Sequence, residues 1–279
     1  MKFEGPLKEY IELTSDLNSL KRKIIQQKGS YAFYLLWNKS EGGKIKVNNV
    51  PYNLKKDVIV AFTSFQEVEI EDLKDFEVLT YNKPFLCVVS EDSDVGCKGL
   101  LYFGSFDLPV IEMDDKLKVQ INLEIDELRE EFKLSDKLQL ESLRICLKRI
   151  LIACTRQYKR QLNIHEVDRG KIDLVREFSY LVEMHFRQHH AVSDYANLMN
   201  KSPKTITNVF SKVARLSPLN YIQKRIMQEA RFLLINSELE ISQVGYKLGF
   251  NDVQSFSRFF KRHEQMSPSA FRNDLQLSA

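Results

Sequence analysis

Residues 241–272 read ISQVGYKLGFNDVQSFSRFFKRHEQMSPSAFR. A short run from Ser242 to Leu248 is followed by Gly249-Phe250-Asn251 and then by a longer run from Asp252 to His263. Glycine enters the left-handed backbone region without steric cost, so Gly249 marks a tight turn. Asp252 suits an N-cap, where a carboxylate accepts one of the unpaired N–H groups at a helix start. Phe256 and Phe260 stand one helical turn apart and mark the buried face of the second run. The stretch therefore predicts a short helix, a turn and a longer helix, with Gly245 small enough to let the two helices approach closely. That is the packing of a helix-turn-helix.

The pattern occurs twice. An offset of 50 aligns Ile206 with Phe256, Phe210 with Phe260, Ser217-Pro218 with Ser267-Pro268 and Tyr221 with Phe271. Upstream the offset is 49, matching Ala196 to Gly245 and Met199 to Leu248. In the first copy Ser193 is expected to cap a helix through Met199, and Ser202-Pro203 supplies the N-cap and first position of the next. Between the copies, Ser217-Pro218 opens LNYIQKRIMQEARFLLIN, an unbroken helix to Asn236 whose apolar face is Tyr221, Ile222, Ile226, Ala230, Leu233 and Leu234. About 19 residues at ~1.5 Å each make a rod of roughly 28 Å. With the offset of each unit from its ends, the rod holds the two longer helices about one DNA turn (~34 Å) apart, within reach of successive major grooves.

Charge is divided in the same way. From Lys171 to Ala279 there are 15 Lys and Arg against 10 Asp and Glu, a net +5, whereas the rest of the chain has 26 against 28, a net −2. A basic domain joined to a near-neutral one fits a polyanionic partner.

These residues resemble the AraC/XylS-type bacterial transcription regulators. The likeness covers about Ala191 to Arg272, and residues 241–272 are similar to the second helix-turn-helix signature of that family almost throughout. Three positions depart from its pattern: Asn208 stands where an arginine often reads a base, and Arg215 and Gln265 stand where a glycine commonly ends the recognition helix. Carried over position by position, the resemblance assigns base contacts to Lys204, Thr205, Thr207 and Asn208 in the first copy. In the second it assigns them to Val253, Gln254, Ser257 and Arg258. The chemistry suits the assignment: arginine forks onto guanine O6 and N7, Asn and Gln pair with adenine N6 and N7, and Val or a Thr methyl touches the thymine methyl. Lys201, Ser202, Lys212, Asn251, Lys261 and Arg262 are expected at phosphates, which fix position without reading sequence. Ile206, Phe210, Phe256, Phe260 and Phe271 are expected in the core.

The first half reads as short strands. YAFYLLW, KIKVN, DVIVAF, EVEIE, FEVLTYN, FLCVVS, GLLYFGS and LPVIEM lie between Tyr31 and Met113, separated by turn residues. Such spacing predicts a barrel or sandwich, and the resemblance selects a small cupin-like barrel. INLEIDELREEF then reads as helix. From Asp136 to Gln161 the residues Leu143, Leu147, Ile150, Leu151 and Cys154 share one helical face, which can pack on its own barrel or on a second copy. The dimer is expected through that face. The aromatic residues Tyr34, Trp37, Tyr81, Phe85, Tyr102 and Phe103 are expected as pocket lining or core. QLNIHEVDRGK is polar and is taken as linker.

The expected architecture is α+β in two domains. Residues 1–162 form an effector-sensing and dimerisation barrel with trailing helices, 163–172 a linker, and 173–279 an all-α double helix-turn-helix domain. No histidine precedes His165, so the barrel offers no His-ligated metal centre. His185 and His189 are four apart but lack the intervening Glu of a zinc protease helix; a helix end with solvated His189 and His190 is expected. Cys87, Cys97, Cys146 and Cys154 show no CxxC spacing and read as reduced thiols. There is no glycine-rich phosphate loop or nucleophile elbow. The chain is therefore expected not to be an enzyme and to use no cofactor or metal. No signal peptide or membrane-spanning run is evident, which places the protein in the cytoplasm. The resemblance implies a transcription regulator, more often an activator, with double-stranded DNA, a homodimer mate, a small-molecule effector and RNA polymerase as partners. A small-molecule-binding protein whose helix-turn-helix pair serves protein interaction is the alternative.

Overall fold

The computed structural model of the chain describes residues 1–26, 32–47, 50–64, 66–86, 95, 99–103, 108–162, 166–213 and 217–277. The chain divides into two units, Met1–Arg176 and Glu177–Ala279.

The first unit contains β1 (Lys2–Glu4), β2 (Tyr10–Thr14), α1 (Leu17–Gln26), β3 (Ala32–Asn38), β4 (Gly43–Val47), β5 (Val50–Leu54), β6 (Val58–Thr63), β7 (Val68–Asp72) and β8 (Phe76–Asn82). It continues with α2 (Lys83–Leu86), α3 (Leu100–Phe103), β9 (Val110–Glu112), α4 (Asp115–Glu131) and α5 (Gln139–Gln161). Six strands form one antiparallel sheet in the order β1-β2-β8-β3-β6-β9, and a second sheet runs β5-β4-β7.

The expected closed barrel is not formed among the described residues, and the reason lies in β3. Its sequence AFYLLWN is buried at every position, as a strand covered on both faces must be. One face, with Tyr34, Leu36, Val60, Phe62 and Val78, packs on Ile45, Val47, Val68 and Ile70 of the smaller sheet. The opposite face lines a cavity of about 20 Å³ with Leu13, Leu35, Trp37, Ile59 and Leu79, closed by Ile121 and Ile125 of α4 and Ile150 of α5. The large sheet is thus the middle of three layers rather than one wall of a barrel. Its β9 edge is covered by α5, where the Gln157 side-chain amide donates to the Glu112 carbonyl at 2.9 Å. In the smaller sheet Pro51 sits in the edge strand β5, opposite Lys46.

The apolar stripe of α5 is fully used inside the protomer. Leu143, Leu147 and Cys154 are 0 % exposed, and Ile150 and Leu151 no more than 2 %. The expectation of a dimer through these residues is corrected accordingly: a side chain already packed on its own α4 and sheet has no area left for a second copy. Of the aromatic candidates, Tyr34 stacks on Phe62 at 4.8 Å in the core, Tyr81, Phe85 and Phe103 are buried, and Trp37 lines the cavity. Tyr102 is half-buried, with its hydroxyl bonded to that of Tyr81. Cys146 and Cys154 are free thiols, and burial pushes the Cys154 thiol up to about 12. Cys87 and Cys97 lie outside the described residues.

Two runs expected as strands differ. GLLYFGS contains the short helix α3, and FLCVVS begins within α2, the remainder lying outside the described residues. Apolar runs this short do not distinguish a buried turn of helix from a strand. The proposed linker also differs, because α6 (Glu166–His185) begins inside it.

The second unit holds the remainder of α6, then α7 (Val192–Leu198), α8 (Pro203–Val213), α9 (Pro218–Asn236), α10 (Ile241–Lys247), α11 (Val253–Glu264) and α12 (Pro268–Leu277). Ser217 caps α9 by accepting the Asn220 N–H at 3.2 Å. Ile222, Ile226, Ala230 and Leu234 of α9 are buried, so this helix forms the core that α7, α8, α10, α11 and α12 share. Among the described residues no helix is long and apolar enough to cross a membrane.

Replacing Leu147 by Ala should lower the unfolding free energy by about 2–5 kcal/mol, the usual cost of such a cavity. Urea unfolding should return the same loss at two protein concentrations tenfold apart, because the contact is within one protomer; a seam between copies would make it concentration-dependent.

Candidate nucleic-acid interface

Both copies of the repeat fold as helix, turn and longer helix, and their ends are fixed by the same devices. At the first helices, the carboxylate of Asp194 accepts the Ala191 N–H at 3.1 Å, and Gln243 Oε1 accepts the Glu240 N–H at 2.9 Å. These side chains reach back from equivalent positions of the repeat, so α7 starts at Val192 and Ser193 is not its cap. At the longer helices, Ser202 Oγ accepts the Thr205 N–H at 3.0 Å and Asp252 Oδ1 the Ser255 N–H at 2.6 Å. The hydrogen bonds from Ser255 hold the Asp252 carboxyl below the usual carboxylate range.

The small residues do what their size predicts. Ala196 is buried, and a Cβ added to Gly245 would lie 3.1 Å from Phe256 Cβ. Ile206, Phe210, Phe256 and Phe260 are all 0 % exposed, and Phe271 packs edge-on against Phe260 at 5.4 Å.

Opposite these faces lie the residues assigned to DNA. Lys204, Thr205, Thr207 and Asn208 are all exposed on α8, though two hydroxyls are engaged locally. Thr207 Oγ1 donates to the Pro203 carbonyl at 2.9 Å, and Thr205 Oγ1 shares a hydrogen bond with Ser202 at 2.8 Å. Those bonds leave the Thr methyl groups and the Lys204 and Asn208 side chains as the free chemistry of this helix surface. On α11, Gln254 and Arg258 are exposed while Val253 and Ser257 are half-buried. Lys201, Ser202, Lys212, Asn251, Lys261 and Arg262 are all exposed: Lys201 and Ser202 precede α8, Asn251 precedes α11, and Lys212, Lys261 and Arg262 stand in the last turns of those two helices. The two surfaces are thus matched in position and differ in chemistry, Asn208 standing where Arg258 stands in the second copy.

Beneath them a charged network is buried. Arg225 of α9, 6 % exposed, places its Nε 2.8–2.9 Å from both carboxylate oxygens of Glu183 on α6 and its terminal nitrogens 3.2–3.3 Å from Glu229. Arg187 pairs with the other oxygen of Glu229. Burial pushes the Glu183 carboxyl up, opposed chiefly by Arg225. Sequence reasoning missed this network; its only trace was the i, i+4 spacing of Arg225 and Glu229. His190 was also misjudged. Instead of being solvated, its Nε2 donates to the Leu248 carbonyl at 2.8 Å. The ring centroids of His185 and His189 are 5.9 Å apart, and among the described residues no group of three or more His, Cys, Asp or Glu could hold a metal ion.

Gln265 ends α11 in the left-handed region, with φ 64° and ψ 3°. This is the conformation that favours glycine at a helix end, which is what the resemblance expects at this position. Arg215, at the equivalent place in the first copy, lies outside the described residues.

Residues 195–274 match the family model described as "Helix-turn-helix domain". The uncharacterized HTH-type transcriptional regulator YdiP of Escherichia coli K12 is 27 % identical over 122 residues, covering 43 % of this chain and 40 % of that protein. The Msm operon regulatory protein of Streptococcus mutans is 30 % identical over 37 % of each chain. The lactose operon transcription activator of Staphylococcus xylosus is 26 % identical over 43 % of this chain and 45 % of its own length. The chain thus spans less than half the length of each of these relatives, all of them transcriptional regulators by name. Among solved structures, fatty-acid-bound ToxT of Vibrio cholerae matches over 87 % of this chain and 90 % of its own, at 16 % identity and a TM-score of 0.43. The AdpA DNA-binding domain in complex with a target DNA matches over 38 % of this chain and 94 % of its own, at 22 % identity and a TM-score of 0.34.

Replacing Arg225 by Ala should cost about 3–5 kcal/mol, because Glu183 and Glu229 are left buried without their shared partner; chemical unfolding of the second unit measures it. Gln265→Gly should raise stability by about 0.5–1 kcal/mol through relief of the left-handed conformation, net of the added freedom of the unfolded chain, and the same unfolding assay gives the sign.

Proposed function

We propose that this chain, whose C-terminal domain is a helix-turn-helix domain of the AraC type, is a sequence-specific DNA-binding transcription regulator. The observation that carries the reading is the matched pair of polar surfaces on α8 and α11, capped alike and joined by α9 in a domain of that family. We assign base reading to Lys204, Thr205, Thr207, Asn208, Val253, Gln254, Ser257 and Arg258. Phosphate contacts fall to Lys201, Ser202, Lys212, Asn251, Lys261 and Arg262. The basic surplus of residues 171–279 supports this, since neutralising phosphates releases counterions and supplies most of the affinity for any duplex.

Residues 1–162 are the effector-sensing and dimerising part in this reading, with 163–172 the connecting segment and 173–279 the DNA-binding part. An effector acts by binding one arrangement of the protein better than another and so shifting how the two reading helices meet DNA. The dimer surface is reassigned from the buried stripe of α5 to the outward faces of α4 and α5. There Val119 and Leu123 are 61 % exposed and Ile145 59 %, beside the acidic Glu127 and the basic Arg149. A regulator of this kind works in the cytoplasm and acts with RNA polymerase; the one reported relative named as a transcription activator favours activation.

Selection from random duplex DNA should enrich two short elements about one helical turn apart, with affinity falling steeply as salt rises. Arg258→Ala should cost about 1–3 kcal/mol at one or two base positions and relax sequence preference there. Lys261→Ala should weaken all duplexes alike and lower the salt slope by about one. Sequence preferences identical in wild type and Arg258→Ala would refute the role of Arg258.

A further inference from the structure

The corner between α6 and α7 leads directly into the first helix-turn-helix, yet it meets the turn of the second. His190 Nε2 donates to the carbonyl of Leu248 at 2.8 Å, and its ring lies 5.0 Å from that of Phe250. Phe250 in turn packs on Phe256 and Phe259 of α11, at 5.4 and 5.2 Å. Between them Gly249 holds φ +84°, and a Cβ there would fall 1.9 Å from the carbonyl oxygen of Arg187. The backbone leading into the first helix-turn-helix therefore rests directly on the turn backbone of the second. Arg187 also sends its guanidinium to Glu229 of α9, so the corner grips the central helix and the second turn together.

We propose that this contact, Arg187 and His190 against Leu248, Gly249 and Phe250, is a positioning device that sets the separation of α8 and α11, and with it the spacing between DNA elements that the protein accepts. Each reading unit packs on α9, but through that helix alone small rolls of either unit about it would move the longer helices relative to each other. A second attachment away from the α9 axis removes that freedom. Backbone-to-backbone contact suits the task, because main-chain atoms cannot yield by changing rotamer. His190 adds a directional bond, and its ring ties the corner to the aromatic core of α11. None of these residues is assigned to touch DNA, so the device acts on spacing rather than on which bases are read. The inference rests on the DNA-reading function proposed above and deepens it.

The test is selection of random duplexes by the full-length wild type and by His190→Ala, which removes one hydrogen bond and one ring contact without touching either reading surface. The wild type is expected to enrich one spacing, and the variant the same two elements spread over neighbouring spacings. The penalty for inserting one base pair should fall at least about fivefold in the variant. An equal penalty in both, or a loss of affinity at every spacing alike, overturns the proposal. Gly249→Ala, which drives the two backbones apart, should shift the preferred spacing. If it fails to fold, His190→Ala still decides. Enrichment of nothing by the wild type would count against DNA reading itself, and a measurement without DNA then separates the two. Spin labels carried on non-canonical residues at Ser211 and Lys261 should give a narrow distance distribution in the wild type and a broader one in His190→Ala. Identical distributions would overturn the positioning role.

Discussion

A guanidinium sits buried in the C-terminal unit, almost out of contact with water, and much of that unit is arranged around keeping it neutralised. Arg225 lies with Nε against Glu183 and its terminal nitrogens against Glu229, over the ring of Phe186 at 3.9 Å. A charge left alone there would be costly, so only a register that brings all three groups together is tolerated. A slip of one residue along α9 would turn Arg225 by about 100° away from α6. With the register fixed, Phe178 meets Tyr195, Phe210 and Tyr221 at 4.8–6.3 Å, which seats α8. Phe186 and Arg187 then fall where the chain turns toward Leu248. The polar surfaces on α8 and α11 thus inherit their positions from an ion pair they never touch.

The first unit solves a different problem. Its large sheet has apolar residues on both faces and must be covered twice, by the smaller sheet on one side and by α4 and α5 on the other. This arrangement uses the best apolar stripe of α5 for the protomer's own core. What α4 and α5 leave exposed is the weaker outward set around Val119, Leu123 and Ile145, mixed with charge.

Much of the C-terminal unit was legible in the sequence because its signals are local. Asp252, Ser202-Pro203 and Ser217-Pro218 stand at helix starts, Gly249 at a turn with positive φ, and the repeat fixes which residues face inward. Caps and turns are decided by a few neighbouring residues, so they survive being read without coordinates. What escaped were interactions between distant positions. Nothing near His190 announces that its partner is the carbonyl of Leu248, and nothing near Glu183 announces Arg225. In the first unit the run YAFYLLW signalled a strand, but burial on two faces, which decides between a barrel and a layered arrangement, depends on α4 and α5. Leu100 to Phe103 were misread for a related reason: four apolar residues satisfy a strand or one helical turn equally. The β5 strand was absent from the runs read as strands, since Pro51 interrupts its pattern.

That proline has a consequence for the protein's behaviour in a crowded solution. An edge strand offers a row of unpaired N–H and C=O groups to which any passing extended chain can add itself. Proline carries no N–H, and a strand can hold it only where that side points away from its neighbour. Pro51, opposite Lys46 in β5, therefore removes a donor from the outward rim of the small sheet. It leaves an incoming strand with a gap in the ladder, and so discourages the sheet from growing from one molecule to the next.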